Sequence, residues 1–178
     1  MNRIVISEIG SERATVGDGN KIVTLDGKTH VVWQDISRAG YLNQVRTFDT
    51  GTEKWSSPVT LGHGLDYHAR PILTVDTEGF THVVLGGHNS PVTWRRLVRP
   101  NDSSEWTDPA PIGEGTYPVL TCGPDDTLFL TLRANNHAAV NLYAKPKDRP
   151  WELRSRIIKN AEMYRAAFAR FSAPCCVS

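Results

Sequence analysis

Three stretches of this chain repeat one another, and that self-similarity restricts the fold more than any other feature. DGKTHVVWQD leading to TFDTGTEKWSSPVTLG aligns with TEGFTHVVLGGHN leading to RPNDSSEWTDPAPIG, and with GPDDTLFLTLRAN leading to KPKDRPWELRSRI. Thr29 to Trp55 spans 26 residues, Thr81 to Trp106 spans 25, and Thr127 to Trp151 spans 24. The tryptophans recur at intervals of 51 and 45. Each repeat predicts four short strands. An apolar first strand (residues 21–25 or 72–75) reaches a turn rich in Asp and Gly: LDGK, DTEG or GPDD. Such residues suit tight hairpins. A more apolar second strand follows, as at 29–33, 81–85 and 127–132. The third alternates polar and apolar residues in YLNQVRTF, VTWRRLV and VNLYAK, the pattern of a strand with one face covered. A short fourth strand follows the Trp, as at 58–61. Four antiparallel strands repeated about every 50 residues describe the blades of an all-β propeller. A sandwich of hairpins is the alternative, but a sandwich has no reason to repeat its own sequence.

The expected blades cover 20–65, 66–115 and 116–160, so that residues 1–160 hold three to three and a half blades. Propellers close with about 4–8 blades. An open arc would leave strand edges unpaired. The chain is therefore expected to be the N-terminal part of a longer propeller. Residues 161–178 depart from the pattern: Met163, Ala167 and Phe171 have helix-like spacing and no glycine interrupts them. A frameshifted or truncated end, or a capping helix, would read this way. The turns DTGTEKW, NDSSEW and KDRPW resemble the Asp-box of BNR-repeat, sialidase-like propellers. Their expected role is structural, an Asx-type turn closed by a Trp that packs between blades.

Composition narrows the partners. Twenty Lys and Arg against nineteen Asp and Glu give a formal charge of +1, so no global basic field draws in nucleic acid or anionic lipid. With 39% apolar residues and no long apolar run, no membrane span is expected. MNRIVISEIG shows no signal-peptide core, which fits either an intracellular protein or a chain lacking its native start. Cys122, Cys175 and Cys176 have no metal-ligand spacing, no HExxH is present, and no cofactor is expected. Structural calcium or zinc in further blades stays open.

Propeller connectivity puts residues just before a blade's first strand on the same face as those just after its second. His68 in LDYHARPIL and His88 in LGGHNSP take those two positions in the second repeat. Tyr117 in EGTYPVL and Arg133 in LTLRANN take them in the third. Two imidazoles, a phenol and a guanidinium are therefore expected to share one cleft near the central channel. Gly86, Gly87 and Gly115 would allow backbone and ligand to come close. Arg70 and Asn89 are expected substrate-binding neighbours. His30 and His82 recur at one repeat position, which marks a blade-building role, and His63 and His137 are loop residues with no evident partner.

The motifs DYHARP, LGGHNSP, TYP and LxLR, with His88 twenty residues after His68 and Arg133 sixteen after Tyr117, resemble the BNR-repeat propellers that include ulvan lyases. The resemblance covers most of residues 20–160. It implies a seven-bladed propeller that cleaves uronate-containing polysaccharide by β-elimination, with His68, His88, Tyr117 and Arg133 in the catalytic positions. It also implies an acidic polysaccharide or oligosaccharide as partner, and a secreted or periplasmic location if the native start is missing. The residue types suit that chemistry in their own right. The proton alpha to an ionised carboxylate is weakly acidic until a cation neutralises the carboxylate and the enolate-like transition state. Arg133 can do this with a bidentate fork. A neutral His is a base near working pH. His68 and Tyr117 are expected to move protons in an order left open, and His88 to bind the carboxylate or share that work. Two further readings are a sialidase-like glycoside hydrolase and a non-catalytic glycan-binding or scaffold propeller. A hydrolase canonically needs two carboxylates about 5–9.5 Å apart, for which only Asp35 and Asp66 are candidates.

Overall fold

The computed structural model describes residues 4–14, 19–134 and 138–159, all of them strand, turn or loop. The expected end segment 161–178 and His137 lie outside the described residues. Thirteen strands form antiparallel sheets: β1 (Ile22–Leu25), β2 (Lys28–Ser37), β3 (Gly40–Asp49), β4 (Lys54–Trp55), β5 (Val59–Gly64), β6 (Ile72–Val75), β7 (Thr81–Gly86), β8 (Ser90–Arg99), β9 (Asp102–Trp106), β10 (Ala110–Cys122), β11 (Leu128–Ala134), β12 (Ala139–Lys145) and β13 (Glu152–Lys159). Over the described residues, the expectation of an all-β, antiparallel fold is met. Among the described residues no helix is long and apolar enough to cross a membrane.

The strands group into three successive units. In the first, β1, β2 and β3 pair in order, and β4 and β5 both pair with β3. The break between them falls at Ser56–Ser57–Pro58, where proline has no N–H to give the ladder. The second unit repeats this plan: β6, β7 and β8 pair in order, while β9 and the first half of β10 pair with β8. Its fourth edge is interrupted at Thr107–Asp108–Pro109. The third unit runs from the second half of β10 through β11, β12 and β13. Strand β10 therefore serves two units: Ala110–Gly115 pairs with β8, and Thr116–Cys122 with β11.

Alternation along the strands builds two cores. Leu73, Val83, Leu85 and Leu97 meet Val32, Val45 and Leu61 of the first unit, with Trp106 at the edge. Their sequence neighbours Ile72 and Val84, with Val92, point to the opposite side and meet Leu120, Leu128, Leu130, Leu132 and Tyr143 of the third unit. The middle sheet is thus covered on both faces, which is why THVVL is buried throughout rather than on alternate residues.

The Asp-containing turns behave as Asx turns in two of the three repeats. The Asp49 carboxylate accepts from Thr52 N at 2.9 Å and that of Asp102 from Ser104 N at 3.0 Å. Trp106 is buried and donates to Ser103 O, and Trp55 lies half-buried against Phe48. His30 and His82 are buried and fully engaged. His30 bonds Thr47 Oγ1 at 2.7 Å and Asn101 Oδ1 at 2.8 Å; His82 bonds Asp76 at 2.9 Å and accepts from Trp94 Nε1 at 3.2 Å.

Candidate functional site

The rim where β5 passes to β6 and β7 to β8 gathers the chemically active side chains. In the β5–β6 loop, Asp66 starts a tight turn: its Oδ1 accepts from His68 N at 2.7 Å, and its carbonyl accepts from Ala69 N at 3.2 Å. The turn folds His68 back over its own neighbour, with Nδ1 3.2 Å from Asp66 Oδ1. Gln34, wholly buried in β2, holds the loop from beneath. Its Nε2 donates to Asp66 O at 3.0 Å and Ala69 O at 3.1 Å, while Ser11 Oγ donates to its Oε1 at 3.1 Å.

His88 comes from the β7–β8 turn, where Gly86, Gly87 and Asn89 all have positive φ, at 94°, 108° and 49°. A Cβ on Gly87 would stand 2.9 Å from Pro118 Cδ, so the turn sits hard against β10. His88 Nδ1 is hydrogen-bonded to Asp66 Oδ2. One carboxylate therefore joins the two imidazoles, whose ring centroids lie 4.1 Å apart. The Tyr67 ring lies equally close to His68, at 4.1 Å, and the exposed Arg13 guanidinium lies 5.0 Å from the Tyr67 centroid.

Tyr117 stands where β10 changes partner. The register slips between Thr116 and Val119, and Tyr117 takes a φ of 53°. A bulky residue in the left-handed region is uncommon, and such bulges re-aim side chains. The re-aimed phenol ring lies 6.1 Å from the His68 ring. On its other side, Arg133 from β11 places Cζ 4.4 Å from the Tyr117 centroid. The arrangement brings His68, His88, Tyr117 and Arg133 side by side. Arg133 is only 2% exposed, so a ligand carboxylate reaches it only when its cover moves. Gly115 permits a different close approach from the one expected: a Cβ there would stand 2.6 Å from Arg133 O, so the contact is backbone to backbone.

The other expected neighbours are held tightly. Arg70 follows in the His68 loop and is 5% exposed. Asn89 ties its turn to β10, with its N donating to Thr116 Oγ1 at 2.9 Å and its Oδ1 accepting from Thr116 Oγ1 at 3.0 Å. Asp35 is occupied, its Oδ1 accepting from Trp33 Nε1 at 2.7 Å and from Ser7 Oγ. Sequence reasoning missed Asp66 as the hub, together with Tyr67, Arg13 and Gln34. The spacing Asp66–Tyr67–His68 was the available signal, since Asp two residues before a chemically active group is an Asx-turn pattern.

Burial tends to raise the Asp66 carboxyl, but the His68 amide and the two imidazoles outweigh it and hold the group below its ordinary value of 3.8. Burial draws the His68 imidazolium below 6.5 despite the opposing pull of Asp66. At neutral pH Asp66 is thus ionised and His68 is a neutral base. Asp66, His68 and His88 also offer ligand atoms within 4.8 Å of one another, a set that could hold a divalent metal. Helical His spacing could not reveal it, because the ligands come from two separate loops.

A family model described as BNR repeat-containing family member matches residues 20–172. An ulvan lyase of Alteromonas sp. (strain LOR) is 24% identical, over 69% of this chain and 30% of its own length. The crystal structure of polysaccharide lyase Uly1 superposes with a TM-score of 0.61 at 11% identity, over 87% of this chain and 45% of that one. The catalytic domain of the Coprinopsis cinerea GH62 α-L-arabinofuranosidase gives a TM-score of 0.52 at 16% identity, over 85% and 55%. The chain thus spans under a third of the curated relative and about half of each solved structure.

Proposed function

Because the chain belongs to the BNR repeat-containing family, we propose that its three units are blades of a β-propeller that cleaves uronate-containing polysaccharide by β-elimination. The observation that carries this reading is the contact of two imidazoles, a phenol and a guanidinium at one rim. The distant similarity to an ulvan lyase supports the substrate class.

His68, neutral at working pH, removes the proton alpha to the uronate carboxylate. The electron pair left behind forms the new C=C as the β carbon–oxygen bond breaks. Tyr117, across the cleft at 6.1 Å between rings, protonates the departing sugar oxygen. Arg133 offsets the charge that builds on the carboxylate. Because it starts covered beneath the Tyr117 face, substrate binding must displace its cover before a bidentate contact forms. His88 hydrogen-bonds the carboxylate or shares the proton traffic.

The test is ultraviolet absorbance on uronate polysaccharides, with no cofactor added. Elimination makes a double bond conjugated with the carboxylate, so absorbance rises, and His68→Ala and Arg133→Ala should each abolish the rise. Full turnover in both variants overturns the assignment. Reducing ends without absorbance would identify a hydrolase, and retardation in a polysaccharide gel with no reaction a binding scaffold.

A further inference from the structure

We propose that Asp66 is the positioning residue of this site, a single carboxylate that fixes the tautomer of both imidazoles. The inference rests on the reading that His68 and His88 handle protons. An ionised carboxylate only accepts hydrogen bonds. Asp66 Oδ1 faces His68 Nδ1 at 3.2 Å, and Oδ2 meets His88 Nδ1. Each Nδ1 must therefore carry the hydrogen, and each lone pair lies on Nε2, the ring atom turned away from Asp66. The His68 amide donates to the same Oδ1 at 2.7 Å, and Gln34 fixes the Asp66 carbonyl at 3.0 Å, so the carboxylate is itself held. The consequence is a pair of rings 4.1 Å apart, both set as Nε2 bases by one anion. That anion also shields either ring from its neighbour's charge when one takes up a proton. Two histidines each oriented by its own partner would be independent; here a single side chain sets both.

Asp66→Asn separates positioning from catalysis. Its amide keeps the size and one accepting oxygen, but the nitrogen can only donate. One imidazole should stay protonated on Nδ1, and the other must accept there and move its hydrogen to Nε2. Long-range proton–nitrogen NMR of the histidine-labelled protein reads this without substrate. Wild type should show two Nδ1–H rings at this site, and the variant one of each kind. With substrate, kcat should fall by about 10²–10⁴-fold, the usual worth of a correctly set general base, while KM changes little. Asp66→Glu, which keeps both acceptors, should retain two Nδ1–H rings and recover part of kcat. Two Nδ1–H rings in Asp66→Asn, or an Nε2–H ring in wild type, would overturn the inference. A wild type inert on every uronan but with the expected NMR pattern would defeat the lyase reading and leave Asp66's role standing.

Discussion

Replacing Gln34 by leucine removes the floor of the site without opening a cavity, since the two side chains are close in size. Three hydrogen bonds go: those to Asp66 O at 3.0 Å and Ala69 O at 3.1 Å, and the one from Ser11 Oγ at 3.1 Å. At about 1 kcal/mol each, the loss is about 3 kcal/mol. Proteins of this size lose about 2–4 °C in Tm per kcal/mol, so thermal unfolding should move down by roughly 6–12 °C. The freed carbonyls belong to the loop that carries Asp66 and His68. A displacement of about 1 Å at reacting groups costs about 10²-fold in rate, so elimination should fall by that order in protein still folded at the assay temperature. Gly64→Ala should act in the same direction, because its Cβ would stand 2.8 Å from Gln34 Nε2 and 3.1 Å from Ala69 O. Circular dichroism melts and the ultraviolet assay read the two effects separately. If Gln34→Leu melts within about 1 °C of wild type, a change worth well under 1 kcal/mol, and turns over at the normal rate, Gln34 does not hold the loop.

Three other outcomes follow from the same geometry. The His68 pKa lies below 6.5, so its basic form persists under that pH, and the acid limb of kcat/KM should have an apparent pKa below 6.5. The linked stability has the matching sign: the contribution of the neutral rings of His30 and His68 is complete above pH 6.5 and lost as pH falls through their lowered values, as denaturant melts across that range would show. Zinc should inhibit reversibly, since Asp66, His68 and His88 offer ligand atoms within 4.8 Å of one another and coordination there would take both imidazoles off the carboxylate that sets them; a chelator should restore the rate, and no effect of zinc would exclude that set as a metal site.

The repeat carried much of the fold because period and chemistry agreed at each step. Asp26 and Gly27 both take positive φ, as a two-residue hairpin demands, and the Thr29, Thr81 and Thr127 positions each lie at the start of the repeat's second strand or just before it. The continuity of β10 was not legible. TYP reads as a fresh start because proline usually ends a ladder, yet the backbone passes straight through it by way of a bulge. The proximity of His68, His88, Tyr117 and Arg133 could be read because it depends only on strand ends meeting at one rim. The parts played by Asp66, Gln34 and Arg13 were not read, for different reasons. Asp66 was read only as a candidate hydrolase carboxylate, because its spacing shows a turn to His68 but not the reach to His88 in another loop. Gln34 acts through a side chain buried in a strand, and its partners lie 32 and 35 residues away. Arg13 precedes the first repeat, and nothing in the repeat indicates that the segment holding it would bridge to Asp35 and bond Gln34.

The state of Asp66 also bears on which reaction this rim can support. Hydrolysis of a glycosidic bond by the usual route needs one carboxyl kept protonated near working pH and a second that is ionised. Among the described residues, the two candidates at this end of the fold do not supply both. Asp35 is buried and occupied by Trp33 and Ser7. Asp66 accepts from one amide and two imidazoles, which hold it ionised, so it cannot serve as the acid. Among the described residues, the groups left at this rim are the Tyr117 phenol and the His68 and His88 imidazoles beside the Arg133 guanidinium. They suit a step in which a carbon acid loses its proton and a sugar oxygen gains one. Asp66→Asn therefore distinguishes the two chemistries as well as the two tautomers. In a hydrolase it would delete a reacting carboxylate and its product, whereas in an eliminase it leaves His68, Tyr117 and Arg133 in place, and the conjugated product should still form slowly. An Asp66→Asn protein that keeps its fold and NMR-assigned rings but gives no trace of that product would count against elimination here.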